Sequence, residues 1–206
     1  MKSDRRQDIL TAAMGLFAKK GFSGTTTRDL AYHAGVNEAI IFRYFKTKED
    51  LYSAILEHKA CEHRNARSEK VEHLFAEKDD VQFFETLARH FLQRHEQDTT
   101  FMRLLLFSAL EGHQLSDMFV ASMAGRNPIA KYIERRIAEG AFRPVDPEIA
   151  ARALFGTLAS FVLWQEIFGL QKAAPHDREE VVRTFVSIFL SGISKESNLG
   201  GELQNL

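Results

Sequence analysis

The stretch TTTRDLAYHAGVNEAIIFRYFKTK, residues 25–48, decides the fold of this 206-residue chain. It contains two short helical patterns that are separated by a glycine. Gly35 supplies a sharp turn between them, and Asn37 is a good N-cap for the second helix. In that second helix Ile41 and Phe45 form a buried pair at i and i+4. The spacing therefore predicts a helix-turn-helix motif.

The other side of the second helix carries an unusual mixture of side chains. At about 100° per residue, Ala39 and Arg43 lie opposite the buried side, and Ile40 and Phe42 flank them. A face that met only solvent would not normally carry Ile, Phe and Tyr44 beside an arginine. A face that enters a DNA major groove could use all of them. We interpret this helix as a DNA recognition helix.

Residues 6–55 resemble the tetracycline-repressor (TetR) family of bacterial transcription factors. The resemblance consists of an apolar first helix, a GF pair, a TT pair, an AGV turn and an aromatic end followed by K-x-K-E-x-L. It implies a dimeric, mostly repressing regulator whose larger C-terminal domain binds a small ligand. The fold is expected to be all-α, with a three-helix helix-turn-helix domain over residues 1–48 and a helical effector-binding and dimerisation domain over residues 49–206.

The resemblance also implies which residues meet DNA. The recognition-helix positions at which the family contacts DNA are Asn37, Glu38, Ala39, Ile40, Phe42, Arg43 and Tyr44. A second set is expected to hold phosphates, which sets the register without reading sequence: Thr26, Thr27, Arg28, Tyr44, Lys46 and Lys48. Arg43 suits either a guanine edge or a phosphate, whereas Glu38 suits a cytosine amino group.

Composition agrees with DNA binding at one end only. The net charge is −1, but residues 1–50 contain nine lysines and arginines against six acidic residues, so the remainder is acidic. A single cysteine, Cys61, excludes an intramolecular disulfide, and we expect no metal and no cofactor. No apolar run approaches the ~18 residues of a membrane span. We therefore expect a protein that is soluble, cytoplasmic and associated with the bacterial nucleoid.

Further helices follow over the rest of the chain, and the last two are the most informative. They are predicted over 147–168 and 178–193, and both carry apolar residues on more than one face. An end helix of a monomer needs only one apolar stripe, so the second stripe predicts a homodimer. The expected interface residues are Phe155, Ala159, Val182, Phe185, Val186 and Phe189.

Aromatic and methionine side chains predict a ligand cavity on the helices that enclose the pocket in the family. The residues expected to line it are Leu87, Phe91, Met102, Leu106, Met118, Phe119, Met123, Phe161, Trp164 and Gln165. Such side chains also form ordinary helical cores. If the cavity exists, its mostly apolar walls favour a small hydrophobic effector.

Three functions are compatible with these patterns. The first is a repressor that a small hydrophobic effector releases from a palindromic double-stranded operator. The second is a constitutive or architectural DNA-binding dimer without an effector. The third is an all-helical enzyme, which we do not expect because the sequence has no glycine-rich phosphate loop, nucleophile elbow or metal-ligand set.

Overall fold

A computed structural model describes residues 5–55, 57–58, 78–112 and 127–195. These residues are helical throughout apart from turns and a single isolated β-bridge between Phe142 and Ser194. The all-α prediction is confirmed. The helices are α1 (Arg5–Lys20), α2 (Thr27–His33), α3 (Glu38–Tyr44), α4 (48–55), α5 (Asp80–Gln97), α6 (Thr100–Leu110), α7 (Pro128–Ala138), α8 (Pro147–Val162) and α9 (Arg178–Ile193).

The chain divides into two compact units. The first contains residues 1–68 and 98–123, and the second contains residues 69–97 and 124–206. The helix-turn-helix of α2 and α3 therefore shares a unit with α1, α4 and α6. The boundary after residue 48 stays a prediction, although α4 contributes Leu51, Tyr52 and Ile55 to the core around the helix-turn-helix.

Aromatic side chains form the centre of the first unit. Phe17 of α1 and Tyr52 of α4 are fully buried, and their ring centroids lie 4.9 Å apart in an edge-to-face arrangement. Phe22 covers both rings from the turn after α1. The Tyr52 hydroxyl donates a hydrogen bond of 3.1 Å to the backbone oxygen of Leu104. Tyr52 thus joins α4 to α6, while α6 packs along α1.

The second unit is built around α5, which packs against α8 and α9. Phe83 of α5 stacks on Tyr132 of α7 with ring centroids 3.7 Å apart. The Tyr132 hydroxyl donates to Asp80 at 2.6 Å, and the Arg136 guanidinium binds both oxygens of the same carboxylate at 2.8 and 2.9 Å. These three hydrogen bonds join α5 to α7 beside the stacked aromatic rings.

The predicted long helix over 147–168 changes its geometry before it ends. The α-helical part, α8, stops at Val162, and residues Leu163–Ile167 form one π-helical turn. A π-helical turn places one extra residue in the turn, which rotates the following side chains relative to α-helical spacing. The turn leaves Trp164 54% exposed and Gln165 buried, so the two neighbours have opposite environments.

Candidate nucleic-acid interface

Local hydrogen bonds position the recognition helix α3. The side chain of Asn37 accepts a hydrogen bond of 2.9 Å from the Ile40 amide, as expected for an N-cap. Gly35 has a φ of +62°, the left-handed conformation that the sharp turn requires. Ile41 is 1% exposed in the core of the first unit. Its burial fixes which side of α3 faces outward.

The outward side of α3 presents aromatic surface next to a cation. Phe42 is 44% exposed and Tyr44 is 37% exposed. The Arg43 guanidinium lies 5.3 Å from the centre of the Tyr44 ring, a cation–π arrangement that leaves its N–H groups available in a plane. An exposed arginine with pre-oriented donors can bind a guanine edge or a phosphate.

Glu38 has a partner inside the protein. Its carboxylate accepts a hydrogen bond of 2.6 Å from the Thr27 hydroxyl, so it connects the start of α2 to the start of α3. A negative charge in the first turn of a helix also interacts favourably with the helix dipole. The acidic residue in the recognition helix therefore has a structural explanation that sequence reasoning missed.

The residues predicted to hold phosphates differ in their surroundings. Thr26 caps α2 through a reciprocal pair of hydrogen bonds with Asp29. Arg28 and Lys46 are exposed. The Lys48 ammonium points into the protein and donates to the backbone oxygens of Phe22 and Thr25, each at 2.9 Å. Lys48 therefore supports the turn between α1 and α2.

The structure places the twelve predicted DNA-binding residues on α2 and α3 with their N-caps, in the turn that follows α3, and at the start of α4. Nine are exposed: Thr26, Arg28, Asn37, Glu38, Ala39, Phe42, Arg43, Tyr44 and Lys46. The other three, Thr27, Ile40 and Lys48, are half-buried. Ile40 packs against the core of the first unit. Their role in DNA contact stays a prediction.

The residues predicted to line the ligand cavity are distributed over both units. Leu87 and Phe91 are half-buried on α5, and Phe91 packs edge-to-face on Phe155 at 5.1 Å. Met102 and Leu106 are half-buried on α6. Met118, Phe119 and Met123 lie outside the described residues.

The remaining three cavity residues, Phe161, Trp164 and Gln165, line an open groove within the second unit. The groove has a volume of about 790 Å³ and runs between α8, the π-helical turn and α9. Its other walls are Arg152, Ala153, Gly156, Thr157, Ser160, Leu170, His176 and Phe185.

The residues predicted to form the dimer interface face two directions. Val182 and Val186 are buried on α9, which packs against α5, and Phe189 packs on Phe84 at 5.0 Å. Ala159 and Phe155 are half-buried, while Phe185 lines the groove. The outer surface instead contains small residues of α8, Ala153, Gly156, Thr157 and Ser160, together with exposed Trp164, Phe168 and Ile188.

Two family models match the chain. Residues 9–55 match bacterial regulatory proteins of the tetR family, and residues 81–192 match the C-terminal domain of AefR-like transcriptional repressors. The chain belongs to the tetR family. It is a DNA-binding transcriptional regulator, and both the resemblance and the predicted function class are confirmed.

Two curated relatives illustrate where the similarity lies. The repressor KstR2 of Mycolicibacterium smegmatis is 25% identical over 94% of this chain and 92% of its own length. The uncharacterised regulator YvkB of Bacillus subtilis is 54% identical, but over 48 residues that make up 23% of this chain and 25% of that protein. Identity is therefore highest in a region the size of the helix-turn-helix domain.

Solved structures share the fold over almost the whole chain. The fatty acid degradation regulator FadR of Bacillus halodurans has a TM-score of 0.70 at 19% identity, covering 93% of this chain and 97% of that one. FadR of Bacillus subtilis in complex with stearoyl-CoA has a TM-score of 0.65 at 20% identity, covering 90% and 98%. Over the described part of this chain, no helix combines the length and apolar character needed to cross a membrane.

Lys46 and Lys48 allow a matched test, because each substitution by alanine removes one positive charge. We expect Lys46→Ala to leave the melting temperature unchanged and to reduce the salt dependence of DNA binding by about one phosphate contact. Lys48→Ala should lower the free energy of unfolding by about 1–3 kcal/mol, since two backbone oxygens lose a charged donor. Thermal unfolding measures the stability of the two variants, and DNA titrations at several salt concentrations measure the salt dependence of their binding. Unchanged stability of Lys48→Ala with a shallower salt slope would make Lys48 a phosphate contact instead.

Proposed function

We propose that this protein is a repressor that binds a palindromic operator as a homodimer and is released by a small hydrophobic effector. The observation that carries the proposal is the outer side of α3. It exposes Phe42, Arg43 and Tyr44 above a helix-turn-helix whose inner side is fully packed. Exposed aromatic residues on both sides of an arginine suit a surface that contacts another molecule.

The geometry of a two-fold dimer defines the operator. One recognition helix contacts too few base pairs for specificity, so two must bind in register. Half-site centres then lie about one helical turn apart, ~34–36 Å, and the operator repeats the two-fold symmetry of the protein. Arg43 is the residue of α3 best suited to read a base, because Glu38 already accepts the Thr27 hydroxyl.

We place the dimer interface on the outer surface of α8 and α9. Ala153, Gly156 and Ser160 are exposed and small, which would let helices of two copies approach closely. Ile188 is 67% exposed on α9, and Phe168 beyond the π-helical turn is 63% exposed. Phe185 and Ala159 remain part of this surface, whereas Val182 and Val186 serve the core of their own unit.

The effector is proposed from the apolar character of the predicted lining and from two structural neighbours. One neighbour is a ketosteroid transcriptional regulator, KstR2 of Mycobacterium tuberculosis, and the other contains stearoyl-CoA. Leu87 and Phe91 on α5 are half-buried apolar side chains that suit a ligand with a long hydrocarbon portion. We propose a fatty-acyl or sterol-like effector.

Release follows from thermodynamic linkage. The effector shifts the equilibrium between two conformations only by its difference in affinity for them. Helix α6 is a suitable element, because Met102 and Leu106 lie on it and because it belongs to the DNA-binding unit. The hydrogen bond from Tyr52 to Leu104 joins it to α4, which follows the recognition helix. A shift of α6 would therefore change the geometry of the DNA-binding unit.

Replacing Arg43 tests the DNA-binding surface. The operator is first selected from a random DNA library with the wild-type protein. Arg43→Ala should then weaken operator binding by about 1–3 kcal/mol and relax the preference at one symmetric pair of base positions. The comparison of affinities for all single-base operator variants provides the measurement. An equal loss for every sequence would show that Arg43 holds a phosphate.

A pair of glycine substitutions tests the dimer interface. Gly156 lies on the outer surface of α8 and Gly15 on α1, and a Cβ atom added at either would meet nothing within 4 Å. Gly156→Glu should give a folded monomer that binds the palindrome much more weakly, because two buried carboxylates would face each other across the two-fold axis. Gly15→Glu should remain dimeric. Sedimentation analysis and circular dichroism distinguish these outcomes, and a dimeric Gly156→Glu would move the interface elsewhere.

Stearoyl-CoA serves as the first probe for the effector. We expect it to raise the melting temperature, since a ligand that binds only the folded state stabilises it, and to dissociate the protein from its operator. Free coenzyme A is the control for the polar part of the probe. Stearoyl-CoA and sterol-like compounds that neither stabilise the protein nor release DNA would favour a constitutive DNA-binding dimer.

A further inference from the structure

The turn between α1 and α2 is held by two side chains from other parts of the first unit. Glu111, the C-cap residue that follows α6, accepts hydrogen bonds of 3.0 Å from the backbone amides of Phe22 and Ser23. Lys48 of α4 donates to the backbone oxygens of Phe22 and Thr25. Both backbone polar groups of Phe22 are therefore bonded to charged side chains, and its backbone oxygen also accepts a hydrogen bond of 3.3 Å from the Thr25 amide.

The position of Glu111 is electrostatically unfavourable for α6 itself. The C-terminal end of a helix carries partial negative charge, which disfavours a carboxylate there. Two charge-assisted hydrogen bonds from backbone amides offset that disadvantage. Glu111 also lies near the buried Tyr52 phenol, and burial together with this negative charge raises the pKa of Tyr52 to about 12. Helix stability does not explain Glu111, but the contact with the turn does.

Gly21 makes room for this contact. It ends α1 with a φ of +74°, a conformation that other residues rarely adopt. A Cβ atom at this position would lie 2.7 Å from Oε1 of Glu111 and 2.9 Å from Cδ1 of Phe107. Both distances are shorter than real carbon contacts, so an alanine here would displace the carboxylate from the amides.

The turn leads directly into the DNA-binding helices. The Thr25 hydroxyl donates to the backbone oxygen of Gly21 at 2.7 Å, and Thr26 caps α2. Thr27 then connects α2 to the first residue of α3 through its bond to Glu38. Hydrogen bonds of residues from Phe22 to Thr27 thus connect this segment to the end of α6 at one side and to the start of the recognition helix at the other.

We infer that Glu111 is a positioning residue for DNA binding: it fixes the turn before α2, and thereby the orientation in which α2 and α3 meet the operator. This inference rests on the proposed DNA-binding surface. Glu111 itself contacts no DNA in this arrangement. It acts through the amides of Phe22 and Ser23.

The direction in which operator affinity changes when Glu111 is replaced distinguishes a positioning role from a purely electrostatic one. Removing a negative charge from a DNA-binding unit should by itself strengthen DNA binding. We expect the opposite: Glu111→Ala should weaken operator binding about three- to tenfold, with an unchanged salt slope because no phosphate contact is lost. Glu111→Gln keeps one amide oxygen as an acceptor and should bind with intermediate affinity. Tighter or unchanged binding by both variants would overturn the inference.

Hydrogen exchange measured by NMR gives a residue-specific readout in the full-length protein without DNA. The amides of Phe22 and Ser23 should exchange faster in Glu111→Ala. The Gly21 amide, which donates to the backbone oxygen of Phe17 at 2.9 Å, should keep its protection. Unchanged exchange at Phe22 and Ser23 would show that the carboxylate does not hold the turn in solution.

Two glycine variants test the same contact from the other side. Gly21→Ala should weaken operator binding as Glu111→Ala does. The double variant should bind the operator at least as tightly as the single variant of lower affinity, because both substitutions remove the same contact. Gly112→Ala is the matched control, because Gly112 also has a positive φ, +63°, but a Cβ there meets nothing within 4 Å. It should lower the melting temperature and leave operator affinity unchanged.

Additive losses in the double variant, or an equal loss of affinity in Gly112→Ala, would overturn the inference. A wild-type protein that selects no DNA sequence would instead contradict the proposed function. The two failures are therefore distinguishable in one set of binding experiments.

Discussion

The burial of Tyr52 between α1 and α6 is the constraint on which the DNA-binding unit depends. Its ring fills the space beside Phe17, and its hydroxyl has a partner in the backbone oxygen of Leu104. A buried phenol without a partner would destabilise the core, so the ring and the hydroxyl together determine where α6 lies against α4. Tyr52 and Leu104, which are 52 positions apart in the sequence, are thereby part of one core.

Two helices of seven residues cannot be stable alone, because nucleation is unfavourable and short helices gain few hydrogen bonds. Their stability comes from caps at Thr26 and Asn37 and from the apolar contacts of Leu30 and Ile41. The recognition surface is consequently supported by the core below it, which residues of α1, α2, α4 and α6 share.

The second unit is held together by aromatic stacking and a salt bridge between helices. The stack of Phe83 on Tyr132 and the salt bridge between Asp80 and Arg136 hold α7 against α5. These contacts lie inside the unit. The outer surface of α8 and α9 takes no part in them, and it is the surface on which we place the second copy. The groove around Trp164 lies on the same surface, so its exposed apolar area is explained by the proposed dimer as well as by a ligand.

The sequence by itself determined the all-α fold, the helix-turn-helix, the Asn37 cap and the sharp turn at Gly35. These features depend on interactions within four residues, which spacing reveals. Tertiary structure alone decided that Lys48 points inward, that Val186 rather than Ile188 fills the core, and that Glu111 binds a turn 89 residues away. Periodicity shows that a side is apolar or charged, but it contains no information about which distant group faces that side.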